Sequence, residues 1–322
     1  MKITISRKTR TLQRNQTMPN KTIFITGTNS GFGKAAVEQF AQAGWQVAAT
    51  VRNLQTHGQL FKEFPGVTLF ELDVTDFAQV EAVSQAAIAK FGTIDVVVNN
   101  AGYCLMGPTE TSSMEQIKRQ FDTNVFGVFA VTKAFIPHFR SQRSGMFINL
   151  ASASAQFNYP FIAAYGSSKW AVRGMTESLG IELAPFNIEV KAIYPGLHAT
   201  KIFTKLDDGC DAKNPAFGFY EKYFKIFMSA QESVTSVTSP ISIANEIFQA
   251  ATGTKGKLHI VSGGDAKLYA FLKAILPERM FQKMQIRTMQ QPLSATEISF
   301  AKWLFGSNLA KLEVGKPERK EH

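Results

Sequence analysis

From residue 21 onward, short apolar runs alternate with longer stretches whose apolar positions recur three and four residues apart. Thr22–Thr26, Gln46–Val51, Val67–Leu72, Ile94–Asn99, Gly145–Leu150, Ile188–Tyr194 and Leu258–Val261 read as strands. They are apolar almost without interruption, as strands of a parallel sheet covered on both faces must be. Lys34–Ala43, Ala78–Phe91, Ser113–Arg140 and Ala163–Ala184 carry the helical period between them. This alternation predicts an α/β class, a doubly wound parallel sheet of seven strands with right-handed crossovers. Ligands of such sheets lie beyond the carboxyl ends of the strands, so the chemistry should follow the strands directly.

Residues 200–240 break the rhythm and read as a lid, and 241–290 return to helix, strand and helix. A basic amphipathic segment, 267–289, closes that stretch, followed by a tail from 291 with one candidate helix at Ala295–Phe305. Residues 1–19 are polar and aperiodic and read as a disordered extension, with Met18 a candidate natural start. The domain proper is then a single unit spanning 20–290.

Composition narrows the class. The chain has 322 residues, 45% of them hydrophobic, enough for one large core. Cys104 and Cys210 stand far apart, outside any metal-ligand spacing, which reads as a reducing, cytoplasmic setting and no metal. No apolar run approaches the roughly 18 residues of a membrane span. The net charge is +10, but Lys2, Arg7, Lys8, Arg10 and Arg14 supply half of it ahead of Met18. The rest is scattered without a stripe of cations and stacking aromatics, so nucleic acid is not an expected partner.

The first strand runs into Thr26-Gly27-Thr28-Asn29-Ser30-Gly31-Phe32-Gly33 and then a helix. Glycines allow a tight turn and let backbone amides approach a pyrophosphate at the positive helix end. Gly27, Asn29, Ser30, Gly31, Phe32 and Gly33 are therefore candidate cofactor contacts. The second strand ends in Thr50-Val51-Arg52-Asn53, without the acid that would hold a ribose 2′-hydroxyl. Arg52 suits a 2′-phosphate instead, so NADP(H) is the preferred cofactor and NAD(H) an acceptable one. Asp73-Val74 and Asn99-Asn100 end the third and fourth strands, which makes Asp73, Val74 and Asn100 further candidates, although an Asp there also suits a turn.

Tyr165 and Lys169 stand one helical turn apart. A free tyrosine titrates near pH 10, so work near neutrality needs about 4 kcal/mol of bias toward the phenolate. A cation at about 4 Å supplies roughly that much at an effective dielectric of 20, so one lysine suffices in principle. Ser152, at the end of the fifth strand, can donate to a substrate oxygen while Tyr165 moves the proton. Ser154 competes for that role, one step further along.

In this order the motifs resemble the short-chain dehydrogenase/reductase family in its shorter form, over roughly residues 20–262. The resemblance implies a Rossmann-type sheet and hydride transfer between a nicotinamide and a carbonyl or alcohol carbon, with Tyr165 as acid/base. It implies that Asn124 supports a water-linked proton relay through Lys169, which also holds the nicotinamide ribose. Pro195-Gly196-Leu197-His198-Ala199-Thr200 matches the loop whose threonine, here Thr200, contacts the carboxamide. His198 departs from the usual aliphatic residue. A homodimer or homotetramer through the two long helices is also implied. The nearest subgroups in feel are the retinol- and steroid-type dehydrogenases.

The lid carries Phe203, Phe217, Phe219, Tyr220, Tyr223, Phe224, Phe227 and Met228, which favours an apolar ketone, aldehyde or alcohol as substrate. Helical spacing would equally bury several of these against the domain itself. Two other classes share the motifs: a catalytically silent NADP(H) sensor, and a nucleotide-sugar epimerase, whose glycine spacing and larger C-terminal domain fit poorly here. The segment 267–289 could also rest on a lipid surface.

Overall fold

A computed structural model describes residues 21–196, 207–209, 214–234, 239–253 and 256–291. The N-terminal extension and the tail beyond 291 lie outside the described residues. Seven parallel strands form one sheet: β1 (Thr22–Ile25), β2 (Gln46–Val51), β3 (Val67–Glu71), β4 (Val96–Asn99), β5 (Gly145–Leu150), β6 (Ile188–Pro195) and β7 (His259–Ser262). Their spatial order is β3-β2-β1-β4-β5-β6-β7, so the chain reverses direction of winding between β1 and β4. Ile25 pairs in register with Val98, and Val98 with Ile148, which brings the carboxyl ends of the three central strands level. The predicted doubly wound sheet is the observed one.

Helices cover both faces. They are α1 (Gly31–Gln42), α2 (Leu54–His57), α3 (Phe77–Phe91), α4 (Met114–Phe121), α5 (Gly127–Gln142), α6 (Ala163–Glu182), α7 (Phe217–Val234), α8 (Pro240–Ala251), α9 (Gly264–Ile275) and α10 (Glu278–Gln290). Alternation within the strands feeds two cores. Ile23, Ile25, Val47, Val98 and Ile148 meet Val37 and Phe40 of α1 and Ile243 and Ile247 of α8 on one side. Phe24, Val97 and Phe147 meet Val80 of α3 and Phe135 and Phe139 of α5 on the other. Each fully buried side chain of this size stabilises the sheet by about 1.5–3 kcal/mol.

Three local features depart from the sequence reading. The stretch read as one helix from Ser113 to Arg140 is interrupted by a π-helical turn at Asp122–Phe126. The amphipathic segment 267–289 is two helices, separated at Leu276-Pro277 because proline keeps its predecessor out of helical conformation. A two-residue strand pair, Leu105–Met106 with Asp207–Asp208, ties the segment after β4 to the start of the lid region.

Candidate active site

The glycine loop leaves β1 at the point where the sheet reverses. Gly27 (φ 70°) and Gly31 (φ 57°) occupy the left-handed region, which side chains with a Cβ enter only with strain. At Gly33 space is the constraint: a Cβ would stand 2.5 Å from the Gly27 carbonyl oxygen and 2.5 Å from the Asn100 amide nitrogen. Asn100 Nδ2 donates to the carbonyls of Thr26 (2.7 Å) and Gly27 (2.9 Å). The backbone N–H groups of Asn100 and Ala101 donate to Thr26 Oγ1 at 3.0 and 2.9 Å. Asn100 thus commits its amide to holding the loop. No acidic residue occupies the first turn of α1, so its positive end is left for an anion.

A cavity of about 890 Å3 follows the strand ends. It is lined by Gly27, Asn29, Ser30, Gly31 and Phe32, then by Arg52, Asp73, Val74 and Asn100, all anticipated. His57, Tyr103, Arg119, Asp122 and Thr123 also line it and were not anticipated. Asp73 lines the cavity and is also the turn former of its second reading, since its Oδ1 accepts from the Thr75 N–H (2.9 Å) and hydroxyl (2.7 Å). The volume, the glycine cradle that a Cβ at position 33 would fill, and the acid-free helix start fit a nicotinamide dinucleotide.

The candidate reacting groups gather beside the cavity rim. Ser152 leaves β5 with its Oγ accepting from the Ser154 N–H (3.1 Å) and 3.2 Å from Ser154 Oγ. The Ser152 side chain is the polar group that favours ionisation of the Tyr165 hydroxyl, and Ser154 lies beside it. Tyr165 is buried in the first turn of α6. Lys169, a turn later and also buried, donates from Nζ to the Leu150 carbonyl (2.8 Å) and lies 5.8 Å from the Tyr165 ring centroid.

The charge states correct a sequence expectation. Burial, and then the neighbouring Cys104 thiol, push Tyr165 well above the ordinary phenol range, with Ser152 pulling weakly the other way. Burial also pushes Lys169 down to about 8. One buried lysine therefore does not bring the phenol to neutrality here. Desolvation is the largest influence on the phenol and on the lysine alike, and it disfavours the charged form of each.

Asn124 sits in the π-helical turn, fully buried. It accepts from the Tyr103 N–H (3.1 Å) and donates to the Tyr103 carbonyl (3.0 Å) and Ser168 Oγ (3.2 Å). Gly102 packs between it and the lysine, since a Cβ there would lie 3.0 Å from Asn124 Oδ1 and 3.7 Å from Lys169 Nζ. Beneath them runs a buried chain that sequence reasoning missed. Asn99 Nδ2 donates to Thr132 Oγ1 (3.1 Å) and Asn149 Oδ1 (2.8 Å), and Asn149 Nδ2 to Thr176 Oγ1 (2.9 Å). It fastens the ends of β4 and β5 to α5 and α6, the latter carrying Tyr165 and Lys169. Leaving one of these amides unpaired would cost about 1–3 kcal/mol.

Around Tyr165 the wall is apolar: Cys104, Met106 and Ile162, with Tyr159 and, from the lid helix α7, Phe224 and Met228. Burial pushes the Cys104 thiol up to about 12, so it acts as an apolar group here. Phe224 and Phe227 meet the Phe161 ring at 5.2 and 5.7 Å, whereas Phe219 is 80% exposed. One face of α7 therefore packs against the domain, as helical spacing would have it. Tyr220 donates to Glu110 Oε2 (2.7 Å), tethering the helix. Behind the wall, Tyr269 and Phe281 of α9 and α10 close on Phe157 at 5.1 and 6.3 Å. Thr200, His198, Phe203 and Cys210 lie outside the described residues.

Comparison with known proteins agrees with this geometry. Residues 21–211 match the family model for short chain dehydrogenases. An uncharacterized oxidoreductase of Bacillus subtilis, YusZ, is 34% identical over 81% of this chain and 95% of its own length. A 3-ketodihydrosphingosine reductase of Bacteroides thetaiotaomicron is 34% identical over 56% of this chain and 64% of its own. The structure of ElxO with NADP bound superposes with a TM-score of 0.64 at 25% identity, covering 76% of this chain and 97% of that one. The chain belongs to the short-chain dehydrogenase/reductase family and is an NAD(P)-dependent oxidoreductase.

Proposed function

We propose that this chain transfers a hydride between NADP(H) and a carbonyl or alcohol carbon of an apolar substrate, with Tyr165 as acid/base. The observation that carries the reading is the burial of Tyr165 one helical turn from Lys169 inside an apolar wall, beside the rim of the dinucleotide cavity. The nicotinamide, when bound, supplies or accepts the hydride. Ser152 donates to the substrate oxygen and Tyr165 passes the proton at its hydroxyl. Lys169 holds the ribose and biases the phenol, and Asn124 fixes the Tyr103 backbone and Ser168 beside it. Thr200 is assigned to the carboxamide by its place in the sequence after Pro195-Gly196.

Arg52 at the tip of β2 is assigned to the 2′-phosphate, as its place on the cavity wall and the NADP-bound ElxO support. Arg52→Asp is expected to raise the NADPH KM roughly 100-fold, from a lost charge-assisted bond and added repulsion. The NADH KM should move only a few-fold, and equal shifts for both would sink the assignment.

The apolar substrate is inferred from Met106, Ile162, Phe224 and Met228 around the phenol. NADPH oxidation should be followed against ketones and aldehydes of rising chain length. Each buried methylene is worth about 0.8 kcal/mol, so kcat/KM should climb severalfold per carbon until the wall is filled. A flat series would overturn the apolar reading. Tight NADPH binding with no turnover across the panel would favour the sensor instead.

The exposed Phe129 of α5 (46%) and Ile181 of α6 (80%) support a homodimer or homotetramer through these helices. On α9, Lys267, Phe271 and Ile275 form one exposed stripe, which supports peripheral contact with a membrane surface. No helix among the described residues is long and apolar enough to cross one.

A further inference from the structure

We infer that the outer face of the α9–α10 helix pair docks on an anionic lipid surface. This deepens the membrane-contact reading of α9 and rests on it, adding the second helix and the charge of the headgroups.

Lys267, Phe271 and Ile275 follow one another at intervals of four along α9, all exposed. On α10, helical spacing gathers Arg279, Met280, Lys283, Ile286 and Arg287 on one side, and these are exposed as well. Four large apolar side chains thus stand open among four cations: Phe271 (58%), Ile275 (56%), Met280 (56%) and Ile286 (42%). The one exposed carboxylate of the two helices is Glu278.

The inner side of the pair is already committed. Tyr269 and Phe281 close on Phe157, and Gln285 Nε2 donates to the Asn158 carbonyl (2.5 Å). Lys273 turns inward too, its Nζ donating to the Gln156 carbonyl (2.6 Å). Neither helix can roll to hide its apolar outer residues without breaking these contacts.

Charge selects the occupant. A lipid interface takes apolar side chains into the acyl boundary and cations among the headgroups, and anionic headgroups match four cations against one carboxylate. A second copy related by a two-fold axis would set this face against itself, cations against cations. The chain beyond 291 is no acidic counterpart, since Lys302, Lys311, Lys316, Arg319 and Lys320 outnumber Glu297, Glu313, Glu318 and Glu321.

The full chain should be sedimented with sucrose-loaded vesicles of phosphatidylcholine alone, and of phosphatidylcholine with about 30% phosphatidylserine. The wild type should partition onto the anionic vesicles at least about tenfold more strongly, and lose that gain at about 0.5 M salt. Lys267→Glu combined with Arg279→Glu and Lys283→Glu should weaken the partition by roughly 100-fold. Phe271→Ser with Ile275→Ser should weaken it at least about tenfold. Thermal melts and NADPH affinity should match the wild type in both variants. Variants that bind like the wild type would overturn the assignment to this face. Equal binding to both vesicles would overturn the anionic surface and leave membrane contact standing. Binding to neither would overturn both, and a lower sedimenting mass of the Phe271→Ser, Ile275→Ser variant would then make the face a contact between copies.

Discussion

Replacing Tyr165 with phenylalanine is expected to lower kcat/KM by about 1,000-fold while the NADPH dissociation constant shifts less than about threefold. Positioned acids and bases contribute about 100- to 10,000-fold, and Tyr165 is the proposed proton carrier inside an otherwise apolar wall. The ring keeps its packing against Cys104, Met106 and Ile162, so only the hydroxyl is lost. Single-turnover absorbance with a ketone substrate gives the rate, and fluorescence titration gives the affinity. A variant that keeps a tenth of the wild-type rate would mean that the proton comes from another group, and Ser152 would be the next to replace.

Gly33→Ala is the second large effect, and it acts on binding. The added methyl would stand 2.5 Å from the Gly27 carbonyl and from Asn100 Nδ2, far inside contact distance. Those atoms are the two partners of the 2.9 Å bond that pins the phosphate loop to the end of β4, so relief of one clash breaks the other support. The NADPH dissociation constant should rise at least about 100-fold, and overpacking of this kind costs about 1–3 kcal/mol of stability. Calorimetric titration and thermal melts read the two consequences separately. Unchanged affinity would mean that the pyrophosphate does not sit over this loop.

The parallel sheet was legible because buried strands must be apolar on both faces, and each of the seven runs satisfied that within a residue or two. The helix α2 was invisible for the opposite reason, since four residues do not complete an amphipathic period. His57 went unnoticed with it. The π-helical turn at Asp122–Phe126 hid inside a longer helical pattern, because a single wide turn barely disturbs the spacing of apolar residues. Pro277 was a usable signal for the break between α9 and α10, but the apolar period continues across it. The paired amides of Asn99 and Asn149 become meaningful only in the register that sets them side by side.

For the candidate site, residue type and order were enough to single out the loop, Arg52, Ser152, Tyr165 and Lys169 as candidates. Their charge states were not legible. Those depend on how much water the surrounding side chains exclude, and that exclusion comes from Cys104, Met106 and the lid helix, distant in sequence.

The opposed shifts of Tyr165 and Lys169 bear on the order of events. A phenol held protonated beside an ammonium that gives up its charge near pH 8 is a quiet resting pair, with little tendency to take a proton from an alcohol that wanders in. On the proposed role of Tyr165, oxidation would need a further positive charge at the site to tip the phenol toward release. Carbonyl reduction meets the phenol already carrying the proton it has to deliver. With Tyr165 in its proposed role, the resting site would thus favour delivery of a proton over its uptake.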